Sequence, residues 1–468
     1  MLHGCFPPDL HRFLNELPKT LDETYERILK RINEAQRDNV HRLLQYLTAA
    51  PRPLLFEELV ELLAFDRRAS GSGGVPKLKN WRWDDHEEAV LSTCSSLIAI
   101  VRSEDLRIVQ FSHFSVKEYL TSPRLAQSPC ADVSRFHIDL EAAHTIMAQA
   151  CLATLLRLDE RDGKSNAGES TLVEYAAQNW VEHAQFENVS SRVRDGMDDL
   201  FDSSKPHFAA WLQVYDMDEY WFFFSRDDDP HGGSPLYYAA FCGFYDLAER
   251  LITKYPDQIN ARGGLILAPL PAALYKEHFR LANLLHKHGA NLNCRSRDNR
   301  TPLHSASMDG SVDVMRWLLN HGADPNIRSD GGRTPLHEAA RYARIECIQV
   351  LLSHNANPNL QLDALGITPL YYAVGRQTPS LRVDCRLDMA RQLLEHGADP
   401  NLYSDSFLSP LHIASSDGQL EVVRLLLSYG AKVDARGYEG RTPFQSAALE
   451  ERHEIMKLLL EHGAVPPP

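Results

Sequence analysis

Apolar residues along this chain recur mostly at intervals of three and four, the period of helices that bury one face. In the first half, residues 10–17 and Leu21–Leu47 carry this period, and Thr20-x-x-Glu23 behind Pro18 offers a capping box. Phe56–Phe65 predicts a short amphipathic helix and Ala89–Ser96 another. Leu97–Val101 and Ile108–Ser112 read as two paired strands, and Ser115–Leu120 opens a further helix. A Ser-Gly-Ser-Gly-Gly stretch at 70–74 reads as a flexible connection. His144–Leu158 and Thr171–Ala184 are again amphipathic, and Phe208–Phe224 is rich in aromatics. Trp180, Trp211, Tyr215, Trp221, Phe222 and Phe223 read as core, covering the apolar end of whatever follows.

From about His231 the pattern becomes periodic. Ser/Thr-Pro-Leu or a close variant places prolines at 235, 269, 302, 335, 369, 410 and 443, separated by 34, 33, 33, 34, 41 and 33 residues. A second marker, Leu-Leu-x-x-Gly-Ala, sets Gly289, Gly322, Gly397, Gly430 and Gly463 in the same register, with Asn355 once in the glycine's place. Thr301, Thr334 and Thr442 suit a helix N-cap, with proline at the first helical position, where no amide donor is needed. A second helix such as Val312–Asn320 carries the Val/Leu stripe and stops where Gly or Asn supplies a left-handed residue. Each unit is thus two short helices and an extended finger.

Arg300-Thr-Pro-Leu-His304 and His321-Gly-Ala-Asp-Pro-Asn326 closely resemble the ankyrin consensus, over roughly 230 to 465 in seven units. Ala268-Pro269-Leu270-Pro271 departs from it, lacking both cap and histidine. The fifth unit has about eight extra residues around Gln377–Arg386, which fit either a binding loop or tolerated surface, the latter being the expectation. The last unit bears Glu450, Glu451, Arg452, Lys457 and Glu461, as a polar terminal repeat should, and the fold is expected to end at Ala464. His288, His321, His354, His396 and His462 recur once per unit, which spaces them along the solenoid; a helix-end role is expected rather than a metal site. The resemblance implies variable side chains on the finger tips and first helices. Those positions hold Arg297, Asp298, Arg300, Met308 and Asp309, then Asp330, Arg333, Arg341 and Tyr342, and later Phe407, Ser416, Asp417, Tyr438 and Arg441. This mixture suits a protein-binding surface.

Helix, helix, helix, hairpin across 37–125 is the order of a winged-helix unit. Three stretches carry a wider resemblance: Leu17-Pro-Lys-Thr-Leu-Asp-Glu-Thr-Tyr-Glu-Arg-Ile-Leu29, Val109-Gln-Phe-Ser-His-Phe-Ser-Val-Lys-Glu-Tyr-Leu120 and Tyr175-Ala-Ala-Gln-Asn-Trp180. They resemble the segment behind the nucleotidase in fungal NACHT–ankyrin proteins, signalling ATPases of NOD-like receptor type. That resemblance implies a NACHT remnant at 1–36, a winged-helix domain at 37–125, a helical linker domain at 126–230 and ankyrin repeats at 231–468. The family's phosphate loop, G-x-x-x-x-G-K-[ST], is missing. Gly163-Lys164-Ser165 has Leu158 five residues before its glycine, in a polar run read as linker. The same winged-helix module accompanies inositol deacylases, whose G-x-S-x-G elbow is also missing: Ser72 follows Gly71 directly and Ser234 precedes Pro235.

The fold class is therefore mainly α, with an α/β winged-helix-like N-terminal domain, a helical linker and a C-terminal ankyrin solenoid. Composition narrows the function. The net charge is −14, and His41–Leu125 holds eleven Lys/Arg against eleven Asp/Glu, with Glu57, Glu58, Asp84 and Asp85 on its helices, so DNA binding is not expected. Eight scattered cysteines without C-x-x-C spacing read as reduced, buried thiols. No secretory leader or membrane span is legible, so the expectation is a soluble cytoplasmic protein, with the nucleus open. The leading function is a non-catalytic scaffold or sensor that binds a protein partner through its repeats and docks on a NACHT-type ATPase. Alternatives are a regulatory fragment of a larger NACHT protein, a DNA-binding regulator and an enzyme. No cofactor, metal, nucleic acid or membrane partner is expected.

Overall fold

The computed structural model describes residues 20–70, 76–78, 96–103, 106–158, 171–215, 217, 233–264, 267–296, 298–363, 366–375, 383–404 and 408–466, apart from the side chains at 66–70, 76–78, 383, 384 and 438. The chain forms two compact units, Met1–Pro235 and Leu236–Pro468.

In the first unit, the helical period over Leu21–Leu47 does not make one helix. Leu21–Lys30 ends at Arg31, Asn33 accepts from the Ala35 amide to start the short 3-10 turn Glu34–Gln36, and Arg37–Ala49 follows. An Asn that bonds its own downstream backbone competes with helix continuation, and here it wins. Thr20 caps the first of these helices by accepting from the Glu23 amide at 3.2 Å. Tyr25 ties that helix to Phe114–Leu120 through its hydroxyl, 2.7 Å from Ser115 Oγ.

The strands are β1 (Leu54–Leu55), β2 (Phe65–Ser70), β3 (Pro76–Leu78), β4 (Ile98–Ser103) and β5 (Leu106–Phe111). β4 and β5 form the expected antiparallel hairpin, and β1 pairs with the other edge of β5, giving the order β1-β5-β4. Helix Arg37–Ala49, β1, helix Phe56–Ala64 and the β4–β5 hairpin follow in winged-helix order. The helix expected at Ala89–Ser96 lies outside the described residues, save Ser96, as does the glycine-rich stretch after Ser70. An antiparallel β2–β3 pair, with an irregular register between Asp66 and Ser70, was not foreseen.

Helices Leu140–Leu155 and Leu172–Gln185 pack on each other, the first also on Arg37–Ala49 and the second on Phe56–Ala64, so the expected helical linker shares a core with the winged-helix segment. Trp180, Trp211 and Phe201 are fully buried there with ring centroids 5.4–5.9 Å apart. Trp221, Phe222 and Phe223 lie outside the described residues. A buried polar chain crosses this core. Arg52 grips Glu58 with two bonds of 2.9 and 2.6 Å, and its guanidinium lies 4.8 Å over the Tyr175 ring. The Tyr175 hydroxyl meets His183 Nε2 at 3.0 Å, and His183 Nδ1 meets His144 at 3.0 Å. Burial holds the His183 pKa down to about 3, so the ring is neutral.

In the second unit, seven helix pairs follow one another: Pro235–Phe241 with Tyr245–Lys254, Pro269–Tyr275 with Phe279–Lys287, Pro302–Asp309 with Val312–Asn320, Pro335–Arg341 with Ile345–Ser353, Pro369–Val374 with Val383–Glu395, Pro410–Asp417 with Leu420–Ser428, and Pro443–Leu449 with His453–Glu461. Gly289, Gly322, Gly397, Gly430 and Gly463 all have φ between 82° and 94°, and Asn355 takes φ 62° in their place. A Cβ on any of these five glycines would touch nothing, so the backbone angle alone selects the residue. In the fifth repeat, the extra residues from Val383 onward lengthen the second helix to 13 residues, where its neighbours have 9; residues 376–382 lie outside the described set.

Candidate partner-binding surface

The surface is built on a bond set that the sequence repeats. In repeat three, Thr301 caps its helix, and His304 Nδ1 accepts from the Thr301 backbone amide at 3.1 Å. The other ring nitrogen, Nε2, lies 3.0 Å from the Arg333 carbonyl in the next finger. An amide donor at Nδ1 and a carbonyl at Nε2 fix a neutral ring protonated at Nε2. His337 repeats the arrangement with Thr334 and the Ile367 carbonyl, and His412 repeats it with Ser409 and the Arg441 carbonyl. Burial lowers the pKa of His304 and His337 to about 4 and that of His412 in the same direction. In repeat seven Gln445 takes the histidine's place, its Oε1 accepting from the Thr442 amide at 2.9 Å.

Asparagines staple the repeats at the opposite end. Asn326, Asn359 and Asn401 each donate to the carbonyl of a helix-end residue in the next repeat (Asn355, Gly397 and Gly430) at 2.8–3.3 Å. Their Oδ1 atoms accept from the amides of Asn357, Asp399 and Lys432 at 2.7–2.8 Å. His321, His354, His396 and His462 turn Nδ1 to the carbonyl four residues back at 2.7–2.9 Å, which is the helix-end role expected of them. Among the described residues no three metal-ligating side chains gather. Arg452, expected on the outer polar face of the last repeat, instead reaches back to the Ser416 carbonyl at 3.3 Å, while Glu450, Glu451, Lys457 and Glu461 are exposed.

On this frame the candidate contact residues fall in two groups. In repeats three and four, Asp298 is exposed and its carbonyl accepts from the Asp330 amide at 3.1 Å, while the Asp330 carboxylate accepts from Asn299 at 2.8 Å. Arg300 and Arg333, at the same position of successive repeats, converge on Glu338. Arg344 Nε donates to the Met308 carbonyl at 2.9 Å, beside exposed Asp309. The Arg341 guanidinium lies 5.5 Å over the ring of Tyr342, which is 41% exposed. In repeats six and seven, Ser416 and Asp417 end the first helix of repeat six, and Arg441 pairs with Glu439 at 2.9 Å in the following finger. Arg297 and Phe407 lie outside the described residues, as does the Tyr438 side chain.

Glu338 and Arg344 were not singled out in the sequence. Glu338 directly follows the bridging histidine, where other repeats have Ser305, Tyr372, Ile413 and Ser446, and aligning the units would have exposed this lone charge. Of the described cysteines, Cys151, Cys242 and Cys347 are buried free thiols, but Cys130, Cys294 and Cys385 are only half-buried. No helix among the described residues is long and apolar enough to cross a membrane.

The fold is that of an ankyrin-repeat solenoid behind a winged-helix domain, a mainly helical chain whose repeats are an interaction module. Comparison with known proteins gives the same two parts. A family model for ankyrin repeats matches in three copies, over 270–362, 328–404 and 380–467, and one described as the GPI inositol-deacylase winged helix domain matches 26–131. A curated relative from Monascus ruber, azaphilone pigments biosynthesis cluster protein L, is 32% identical over 305 residues, 60% of this chain. The match spans 62% of that relative's length. The crystal structure of the ankyrin repeat domain of Bcl-3, of the IkappaB protein family, is 28% identical and covers 49% of this chain and 99% of its own, with a TM-score of 0.44.

Proposed function

We propose that this protein is a non-catalytic scaffold or sensor that binds a protein partner through the finger and first-helix face of its repeats. One observation carries the reading. The repeated Thr/Ser-His bridges and Asn staples fix the backbone, while the side chains standing on it differ from unit to unit. A fixed frame with variable Arg and Tyr residues has the composition of a protein interface. His304 and His337 have both ring nitrogens engaged on the frame, which favours a structural role for these two over a catalytic one.

The first unit supports docking on regulatory machinery of NACHT type, in the cytoplasm, with a remnant at 1–36, a winged-helix domain at 37–125 and a helical linker at 126–230. The three NACHT–ankyrin-like stretches and the winged-helix match favour this assignment.

The test is capture of partners from cell extract by the full chain and by Arg341→Ala/Tyr342→Ala. Both side chains stand on the first-helix face, so the variant is expected to stay folded and to recover at least one partner much less well. Equal recovery of every partner would sink the assignment of this face.

A further inference from the structure

The fingers of repeats three and four carry a charge pattern that a general binding surface does not require. Between Arg295 and Arg344 stand eight arginines, no lysine and six acidic residues, in a chain of net charge −14. Arg300 and Arg333 hold the position just before the capping threonine in successive repeats. Arg300 Nη2 lies 3.7 Å and Arg333 Nε 4.0 Å from Glu338 Oε1. Glu338 is 0% exposed, yet neither carboxylate oxygen accepts a hydrogen bond, and Arg333 Nε, also buried, has no acceptor.

Buried polar atoms are ordinarily satisfied, and three unsatisfied ones at a single point ask for an explanation. Closed guanidinium–carboxylate bonds run at about 2.7–2.9 Å, so these pairs attract through charge without closing. The buried carboxylate offsets one of the two positive charges, and exposed Asp298 Oδ2 stands 3.9 Å from Arg300 Nη1, an open pair that an incoming anion would displace. The two arginine side chains remain 27% and 33% exposed, accessible to a second anion. Guanidinium presents a planar fork that suits two-point recognition of carboxylate or phosphate, which a lysine does not.

We propose that Arg300 and Arg333, drawn together over the buried Glu338 carboxylate, form a recognition site for a carboxylate or phosphate group on an extended acidic segment of the protein partner. The site rests on reading this face as protein-binding and adds the chemistry of what it binds. The arginine strip is short and the chain around it is negative, which favours a segment with a few charges over a long polyanion.

Fluorescence anisotropy with the full-length protein at about 150 mM salt tests it, using labelled hexaglutamate, a Gly/Ser peptide with one phosphoserine, hexalysine and a short single-stranded DNA. At least one anionic peptide is expected to bind. Binding by carboxylates alone or by phosphate alone identifies the source of the anion, and either supports the site. Arg300→Gln/Arg333→Gln should weaken it by about ten-fold or more, while Arg424→Gln on the second helix of repeat six should stay within about two-fold. The triple variant with Glu338→Gln, which leaves no buried charge behind, must fold by circular dichroism and lose the peptide equally. No binding of either anionic peptide, an equal loss in Arg424→Gln, or tighter binding of DNA or hexalysine overturns the proposal. Undiminished capture of a natural partner by the double variant removes the site but leaves the scaffold reading intact. Peptide loss on mutation, with no partner captured by the parent protein, does the reverse.

Discussion

The two units bury polar groups by opposite means. The first joins residues far apart in sequence, Arg52, Glu58, Tyr175, His183 and His144, into one chain of contacts that occurs once. The second uses bonds between residues three apart, or about one repeat apart, and uses them again in unit after unit. A unique network fails as a whole when one member is removed, whereas a linear array loses one interface at a time. The two units should therefore respond differently to single substitutions and to acid.

The largest effect of any single substitution should come from Glu58→Ala. It strands the Arg52 guanidinium and removes the acceptor of the Leu55 amide, at 2.8 Å from Glu58 Oε2. Glu58 is buried but the Arg52 side chain is 36% exposed and can rehydrate, so the loss should be about 2–3 kcal/mol, and the first unit should unfold at lower denaturant while the repeats keep their helical signal. A single shared transition in the variant would show that the units are not independent.

Acid should act next, and on many interfaces together. His304 and His337 have folded pKa values near 4, below the ordinary 6.5, so the unfolded chain binds more protons between those values. Their contribution is full above about pH 6.5 and is lost as pH falls toward 4, at roughly 3 kcal/mol each. Chemical denaturation of the full chain between pH 7 and 4.5 should show the repeat transition moving steadily down, and a flat profile would contradict the neutral bridges. His183, lowered to about 3, gives the first unit a loss of the same sign.

Smaller effects sharpen the repeat logic. His304→Ala removes a cap partner and an inter-repeat bond and should cost about 2 kcal/mol, while His304→Gln, which copies Gln445, should recover about half of it. Asn359→Ala loses one donated and one accepted bond, both partly exposed, and should cost about 1 kcal/mol by the same denaturation measurement.

This contrast also explains what could be read in the sequence. Caps, glycine angles and helix-end histidines depend on residues within four positions, so Thr301, Gly322 and His321 announce their own roles. The break at Asn33 was not legible, because Ile28, Leu29, Ile32 and Val40 keep a helical period across it while one side-chain bond ends the helix. The Arg52–Glu58–Tyr175–His183 chain was equally hidden, since its members share a core only after folding. Of the candidate surface, the frame was legible residue by residue. Its most unusual feature, Glu338 beneath Arg300 and Arg333, depends on how two fingers converge on the helix of one repeat.

Site-specific cross-linking tests the interaction face most directly. A photoactivatable residue placed at Tyr342, on the first-helix side of repeat four, is compared with one at exposed Gln349 on the second helix of the same repeat. If the repeats bind their partner through fingers and first helices, irradiation in cell extract should give a discrete protein adduct from position 342 and none from 349. Adducts from 349 alone, or equally from both positions, would contradict it.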